Sequence, residues 1–273
     1  MIVAHLSDLH LKASRRLAYR RVDTAAAFER CMARLIALDS RPDVVLIAGD
    51  LGDLGTAEEY ALFREIAAPL TMPVFAVPGN HDRREPMRAA FPAGSFAADA
   101  GAFLHVVAED FPVRLVGIDS TVSGAPGGLF CRERAEWLSC TLKAAPDRQT
   151  LLFLHHPPFL TGIAHMDRQN LAEADRLADV LGAHRQVSTV LCGHVHRFIR
   201  RRWAGADVTI GPGVSHAVAF DLRPDGPSAF TMEPPAIHLV VFEPGQDPLS
   251  HLVPVDAFPG PYPFFGPDGT LID

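Results

Sequence analysis

MIVAHLSDLH, residues 1–10, is an apolar run that stops abruptly on Ser7, Asp8 and His10. Four more stretches repeat the pattern: DVVLIAGD at 43–50, PVFAVPGNH at 73–81, TLLFLHH at 150–156 and VSTVLCGHVH at 187–196. Runs rich in Val, Ile, Leu or Phe fit strands buried on both faces, because a half-wet strand would alternate apolar and polar residues. Helical patterns lie between them. After Asp23, a side chain suited to a helix N-cap, Phe28, Cys31, Met32, Leu35 and Ile36 recur at helical spacing, and similar patterns run over 58–66, 132–142 and 170–181. Phe103–Val107 and Val113–Ile118 read as an adjacent strand pair, and short strands and turns take over after Phe198. The expected class is α/β, with two packed sheets and helices outside them.

The residues that close the apolar runs carry the chemistry. Asp8 and His10 follow the first run, Asp50 the second, Asn80 and His81 the third, His156 the fourth, and His194 and His196 the fifth. In open α/β sheets ligands gather beyond the carboxyl ends of the strands, so residues far apart in sequence can share one crevice. One His beside a strand is ordinarily a hydrogen-bonded core residue; burial alone does not explain five successive strands that end this way. Imidazole, carboxylate and amide without thiolate suit Fe, Mn, Zn or Co better than Ca or Mg. The donors are too many for one ion with an open position. They suit two divalent metal ions that share a carboxylate and lower the pKa of a bridging water, making hydroxide available near neutral pH.

Bulk properties narrow the partners. The 273 residues carry 25 Lys and Arg against 32 Asp and Glu, a formal net charge of −7, which disfavours a long polyanion and leaves room for a small anion in a metal-lined pocket. No large nucleic acid is expected, and no membrane partner, since no stretch is long and apolar enough to span a bilayer. The opening run shows no basic leader or cleavage site, so a cytoplasmic location is expected. Cys31, Cys131, Cys140 and Cys192 lack CxxC spacing and are read as small core residues in a reducing compartment. The Arg200–Arg202 run is read as an exposed strand or turn. From Phe220 the chain is rich in proline, and GPYPFFGPDG at 260–269 is too apolar for a free linker.

The blocks SDLH (7–10), GDLGD (49–53), GNHD (79–82), HHPP (155–158) and GHVH (193–196), in this order, resemble the calcineurin-like metallophosphoesterases. Tyr19, Met166 with Asp167, and PGVSH at 212–216 resemble the bacterial branch that contains glycerophosphodiester phosphodiesterases and class III cyclic-nucleotide phosphodiesterases. The resemblance implies a four-layer αββα sandwich over residues 1–219, with 220–273 as a small C-terminal cap or tail packed on the body or on a partner subunit. It implies a homo-oligomer acting on a small phosphodiester by attack of a bridging metal hydroxide. A phosphomonoesterase or nuclease of the same superfamily is the alternative, and a non-catalytic metal-binding scaffold the third reading. One metal would be held by Asp8, His10, Asp50 and His196, the other by Asp50, Asn80, His156 and His194. His81 would stand outside the ligand set, donating to the phosphate and to the leaving oxygen, with Asn80, His216 and Tyr19 as further substrate contacts. His5 and His155 are expected to be core or supporting residues, and Asp53 and Asp82 to orient ligands or cap helices.

Overall fold

The structure, a computed structural model, describes residues 1–272. The first third runs β1 (Ile2–Leu6), α1 (Thr24–Ile36), β2 (Val44–Ala48), α2 (Ala57–Ala67), β3 (Val74–Val77) and α3 (Arg84–Ala90). The middle adds β4 (Val106–Ala108), β5 (Arg114–Ile118), β6 (Gly128–Leu129), α4 (Arg132–Lys143), β7 (Thr150–Leu154), α5 (Ala164–Asp167), β8 (Leu171–Ala172), α6 (Ala174–Ala183) and β9 (Val187–Cys192). Strands follow: β10 (Ile199–Trp203), β11 (Ala206–Ile210), β12 (Ala217–Val218), β13 (Phe230–Thr231), β14 (Ala236–Val241) and β15 (Leu249–Pro254).

Two large sheets hold eleven of these strands, one ordered β15-β14-β1-β2-β3 and the other β10-β11-β9-β7-β5-β4, while β6 pairs with β8 and β12 with β13. β1, β2 and β3 run parallel, as do β11, β9, β7 and β5. Within each apolar run, alternate residues serve different cores. Val44 and Leu46 of β2 meet Leu151 and Phe153 of β7 between the sheets. Val45 and Ile47 turn outward against Phe28 and Leu35 of α1 and Phe63 of α2. On the other side, Leu152 and Leu154 of β7 pack with Leu138 and Leu142 of α4 and Leu177 and Leu181 of α6. The result is the expected helix, sheet, sheet, helix layering. Each fully buried Leu, Ile or Phe contributes about 2 kcal/mol of apolar burial, which explains why these runs are dominated by apolar residues until they end.

Local signals fix the outer helices. The Asp23 carboxylate accepts the Ala26 N–H at 2.9 Å to cap α1. Thr56 and Glu59 form a reciprocal capping box at α2. The pattern expected from residue 170 starts its helix only at Ala174, because Leu171 and Ala172 first pair with β6 and Glu173 turns at a φ of 55°.

Two strands beyond the boundary expected at 219/220 join the first sheet. β14 pairs antiparallel with β1, from Ile2 opposite Val241 to His5 opposite His238, and β15 pairs with β14 in turn. The C-terminal region therefore completes the first sheet: without β14, one edge of the buried β1 would have unpaired backbone groups. Beyond β15, Tyr262 and Phe264 are 75% and 79% exposed. The cysteine reading also needs correction, because Cys31 and Cys192 are buried but Cys131 is half-buried and Cys140 exposed, all four as free thiols. Among the described residues no helix is long and apolar enough to cross a membrane.

Candidate functional site

β1, β2 and β3 of one sheet and β7 and β9 of the other deliver their following residues to a single place. Asp8, His10, Asp50, His194 and His196 all have positive φ, between 46° and 74°. For residues with a Cβ that left-handed conformation costs roughly 1–3 kcal/mol and persists only where neighbours enforce it. Here the enforcing contacts are visible: the Asp8 N–H donates to the Gly49 carbonyl at 3.1 Å and the His10 N–H to the Asp50 carbonyl at 3.0 Å. The His194 N–H donates to both Asp8 carboxylate oxygens at 3.0 and 3.1 Å, and the His81 N–H to Asp50 Oδ1 at 2.9 Å. Gly49, at φ 92°, has no room for a side chain, as a Cβ there would lie 2.5 Å from His155 Nδ1 and 2.8 Å from the Gly79 backbone.

Two groups of donor atoms result. In one, His10 Nε2 faces His196 Nε2 at 3.1 Å, and His196 Nε2 lies 3.4 Å from Asp8 Oδ1. In the other, Asn80 Oδ1 lies 3.1 Å from both His155 Nε2 and His194 Nδ1. Asp50 Oδ2 stands between them, 3.6 Å from His10 Nε2 and 3.4 Å from His155 Nε2.

His155 and His156, expected as a supporting residue and a ligand respectively, have different hydrogen-bond partners. His155 Nδ1–H donates to the Ala48 carbonyl at 2.7 Å, leaving Nε2 to face Asp50 and Asn80. His156 Nε2–H donates to the Pro126 carbonyl at 3.2 Å, and its Nδ1 accepts from Ser120 Oγ at 2.8 Å. Both nitrogens of His156 are thus engaged away from Asp50, although the ring stays beside His155 and His194. Ser120 follows β5 just as the other site residues follow their strands, so the strand-end rule had the means to find it.

The calcineurin-like phosphoesterase family model matches residues 1–198, well over half of the chain. This chain is a calcineurin-like phosphoesterase. It is 42% identical over 274 residues, covering all of both chains, to a probable glycerophosphodiester phosphodiesterase of Arcobacter nitrofigilis. It is 31% identical to the 3′,5′-cyclic adenosine monophosphate phosphodiesterase of Haemophilus influenzae, over 81% of this chain and 77% of that one. A dimetal phosphatase from Danio rerio shares the fold at a TM-score of 0.71 and 14% identity, covering 94% and 96% of the two chains.

Phosphoesterases of this family use two divalent metals, and the donors present here fit them. His10 Nε2 faces His196 Nε2, and Asn80 Oδ1 meets two imidazole nitrogens, contacts that a proton or a cation between the atoms makes favourable. In the protein alone, burial works against the charge on His155, yet Asp50 overrides it and raises the imidazole to about 9. Asp50 is held well below its ordinary value by His155 and His10 in spite of its burial. Burial raises Asp8 to about 6, and burial together with the charged His155 lowers His194 to about 3. A cation supplies the positive charge these carboxylates otherwise take from a proton.

Around the donors lie residues that support or line the site. The Asp53 carboxylate sits 3.5 Å from His10 Nδ1 and pairs with Lys12, so it orients His10. Asp82 accepts the N–H groups of Leu51, Gly52 and Gly79 and the Tyr60 hydroxyl, tying the loops after β2 and β3 together. His81 Nδ1–H donates to the Asp53 carbonyl at 2.8 Å, which fixes the ring beside His10. A cavity of about 430 Å³ opens over the donors, and Tyr19, His81 and His216 line it. His216 stacks edge-on to His196 at 4.6 Å, and burial with nearby His10 lowers it to about 4. Phe230, His165 and Gln169 also line this cavity and were not found from sequence; nothing local marks Phe230, which arrives through the β12–β13 pair. Two other candidates lie elsewhere: His5 is buried against His238 at 3.0 Å, and the arginine run forms β10, an edge strand on which Arg200 pairs with Asp207.

Proposed function

We propose that this phosphoesterase hydrolyses small phosphate diesters, glycerophosphodiesters or 3′,5′-cyclic nucleotides, with Asp8, His10, Asp50 and His196 holding one metal and Asp50, Asn80, His155 and His194 the other. The observation that carries the reading is Asp50 Oδ2, which sits within 3.6 Å of one donor group and 3.4 Å of the other. Two cations held there offset phosphoryl charge and lower the pKa of the water that attacks. The protein's own contribution is positional. His81, outside both donor groups and tethered through Nδ1, lines the cavity, where a proton on Nε2 would stabilise the phosphoryl oxygen and pass to the departing alkoxide. Tyr19, Asn80 and His216 bound the space for the ester arm.

A diester brings one negative charge to the site, whereas a monoester dianion brings two. The test is kcat/KM for bis-nitrophenyl phosphate against nitrophenyl phosphate under one metal and pH. A clear monoester preference would overturn the diesterase reading and leave the family assignment standing.

The same reading includes self-association and a cytoplasmic setting. Phe258, Tyr262, Phe264 and Phe265 form an exposed apolar tail next to β15, a free sheet edge, and a second copy is the occupant that buries both. The exposed free thiol of Cys140 suits a reducing compartment. Light scattering that finds a monomer at working concentration counts against self-association.

A further inference from the structure

Beside the cavity over the donors lies a second and larger hollow, about 1020 Å³, between the start of α3 and the loop 121–124. Of all the residues that line the two, Asn80 and His81 alone are common to both. We propose that this groove is a second subsite for one arm of an open-chain diester, and that Arg83 and Glu85 select arms carrying both a carboxylate and an ammonium group. This rests on the diesterase reading above.

The shape argument comes first. A phosphorus atom lying over Asn80 and His81 sits where the hollows meet. An open-chain diester sends two separate alcohols away from that point, one for each hollow. A cyclic nucleotide attaches both ester oxygens to a single ribose and leaves one hollow empty. The larger groove far exceeds what a glycerol or ethanolamine unit fills, so it also admits longer arms.

Most charges on its walls are already committed. Arg84 forks onto both oxygens of Asp119 at 2.6 and 3.1 Å and reaches Thr121 as well. Arg88 donates to the Phe103 carbonyl and lies over the Phe96 ring. Asp82 is consumed by backbone N–H groups and Tyr60, and Asp53 by Lys12 and His10. Arg83 and Glu85 differ from these: both are exposed on the groove, and among the described residues neither side chain has a hydrogen bond or ion pair. One free cation and one free anion on a wall complement a zwitterionic arm, such as the alcohol of a hydroxy amino acid. Exposed Leu54 and Val122 add apolar rims. In the reaction the oxygen of water joins phosphorus and one P–O ester bond breaks. The proton goes to the departing alkoxide, so the products are a phosphate monoester and an alcohol.

The experiment compares glycerophosphoserine, glycerophosphoethanolamine, glycerophosphoglycerol and cyclic AMP on the metal-loaded full chain, for the natural sequence and for Arg83→Ala, Glu85→Gln and Ser123→Trp. Glycerophosphoserine is expected to lead. Arg83→Ala should lower kcat/KM for it by about tenfold, through KM, and by much less for the ethanolamine diester, as one charge-assisted hydrogen bond allows. Glu85→Gln should weaken the serine and ethanolamine diesters together and spare glycerophosphoglycerol by comparison. Ser123→Trp, on the opposite wall, should cost the open-chain diesters more than cyclic AMP. Isothermal titration with serine should give weaker binding to Arg83→Ala and Glu85→Gln, a readout independent of turnover. Equal losses on every substrate, or no losses, would overturn the subsite while bis-nitrophenyl phosphate is still cleaved. If that diester is not cleaved in preference to its monoester, the diesterase reading fails and the subsite falls with it.

Discussion

Two adjacent imidazoles divide the work at the residue scale. His155 Nδ1 is anchored on Ala48, a strand away in the other sheet, and that tether turns Nε2 to Asp50 and Asn80. We expect His155→Ala to lose at least one metal, measured by elemental analysis of the purified protein. His156→Ala should keep more metal than His155→Ala, because its ring nitrogens are occupied by Ser120 and Pro126. The opposite order would restore His156 as the ligand. His81→Ala should retain both metals and lose roughly a hundredfold in turnover, the usual scale for a positioned acid. That loss should shrink for diesters with nitrophenolate leaving groups, which need little help from a proton. The sequence shows that HHPP follows a buried strand, but only the fold says which ring faces inward. Spacing cannot reveal a hydrogen bond between residues 107 positions apart.

At the scale of elements, the runs legible from sequence were those buried on both faces, β1, β2, β3, β7 and β9. β14 was missed for a physical reason: its six residues are flanked by Pro234, Pro235 and Pro244, and its partner β1 lies at the far end of the chain. Nothing local distinguishes such a strand from a tail. Between β4, β5 and α4, His105 offers a stability test. Its Nδ1 accepts the Asp119 N–H at 3.0 Å and its ring stacks on Trp137 at 4.3 Å. Burial first, then the charges of Arg134 and Arg84, lower it to about 4. Unfolded, the same imidazole takes up its proton near its ordinary value of about 6.5. Between those values the unfolded chain holds more protons, so stability falls as pH drops through the window from about 6.5 to about 4. The largest loss is on the order of 3 kcal/mol, and His238, lowered to about 4 by burial, acts in the same direction. His105→Asn keeps an acceptor for Asp119 and should show a shallower decline in urea midpoint between pH 7 and pH 4.5. An unchanged slope would remove His105 from the acid response.

At the scale of the whole molecule, the donors come from both sheets: Asp8, His10, Asp50 and Asn80 from one, His155, His194 and His196 from the other. A metal pair held by these residues would cross-link the two halves of the fold, with a strength that depends on metal supply. A cation present at about a hundred times its dissociation constant adds roughly 2.7 kcal/mol for each site that the unfolded chain lacks. Stripping with a chelator should lower the melting temperature, and readdition of Mn or Zn should restore it. Amide exchange at the ends of β1 and β9 should speed up together. A melting temperature indifferent to chelation would mean that the apolar layer alone holds the sheets in place. If the cross-link is real, scarcity of metal shortens the life of this protein as well as silencing it, and the apoprotein is the form that proteases meet first.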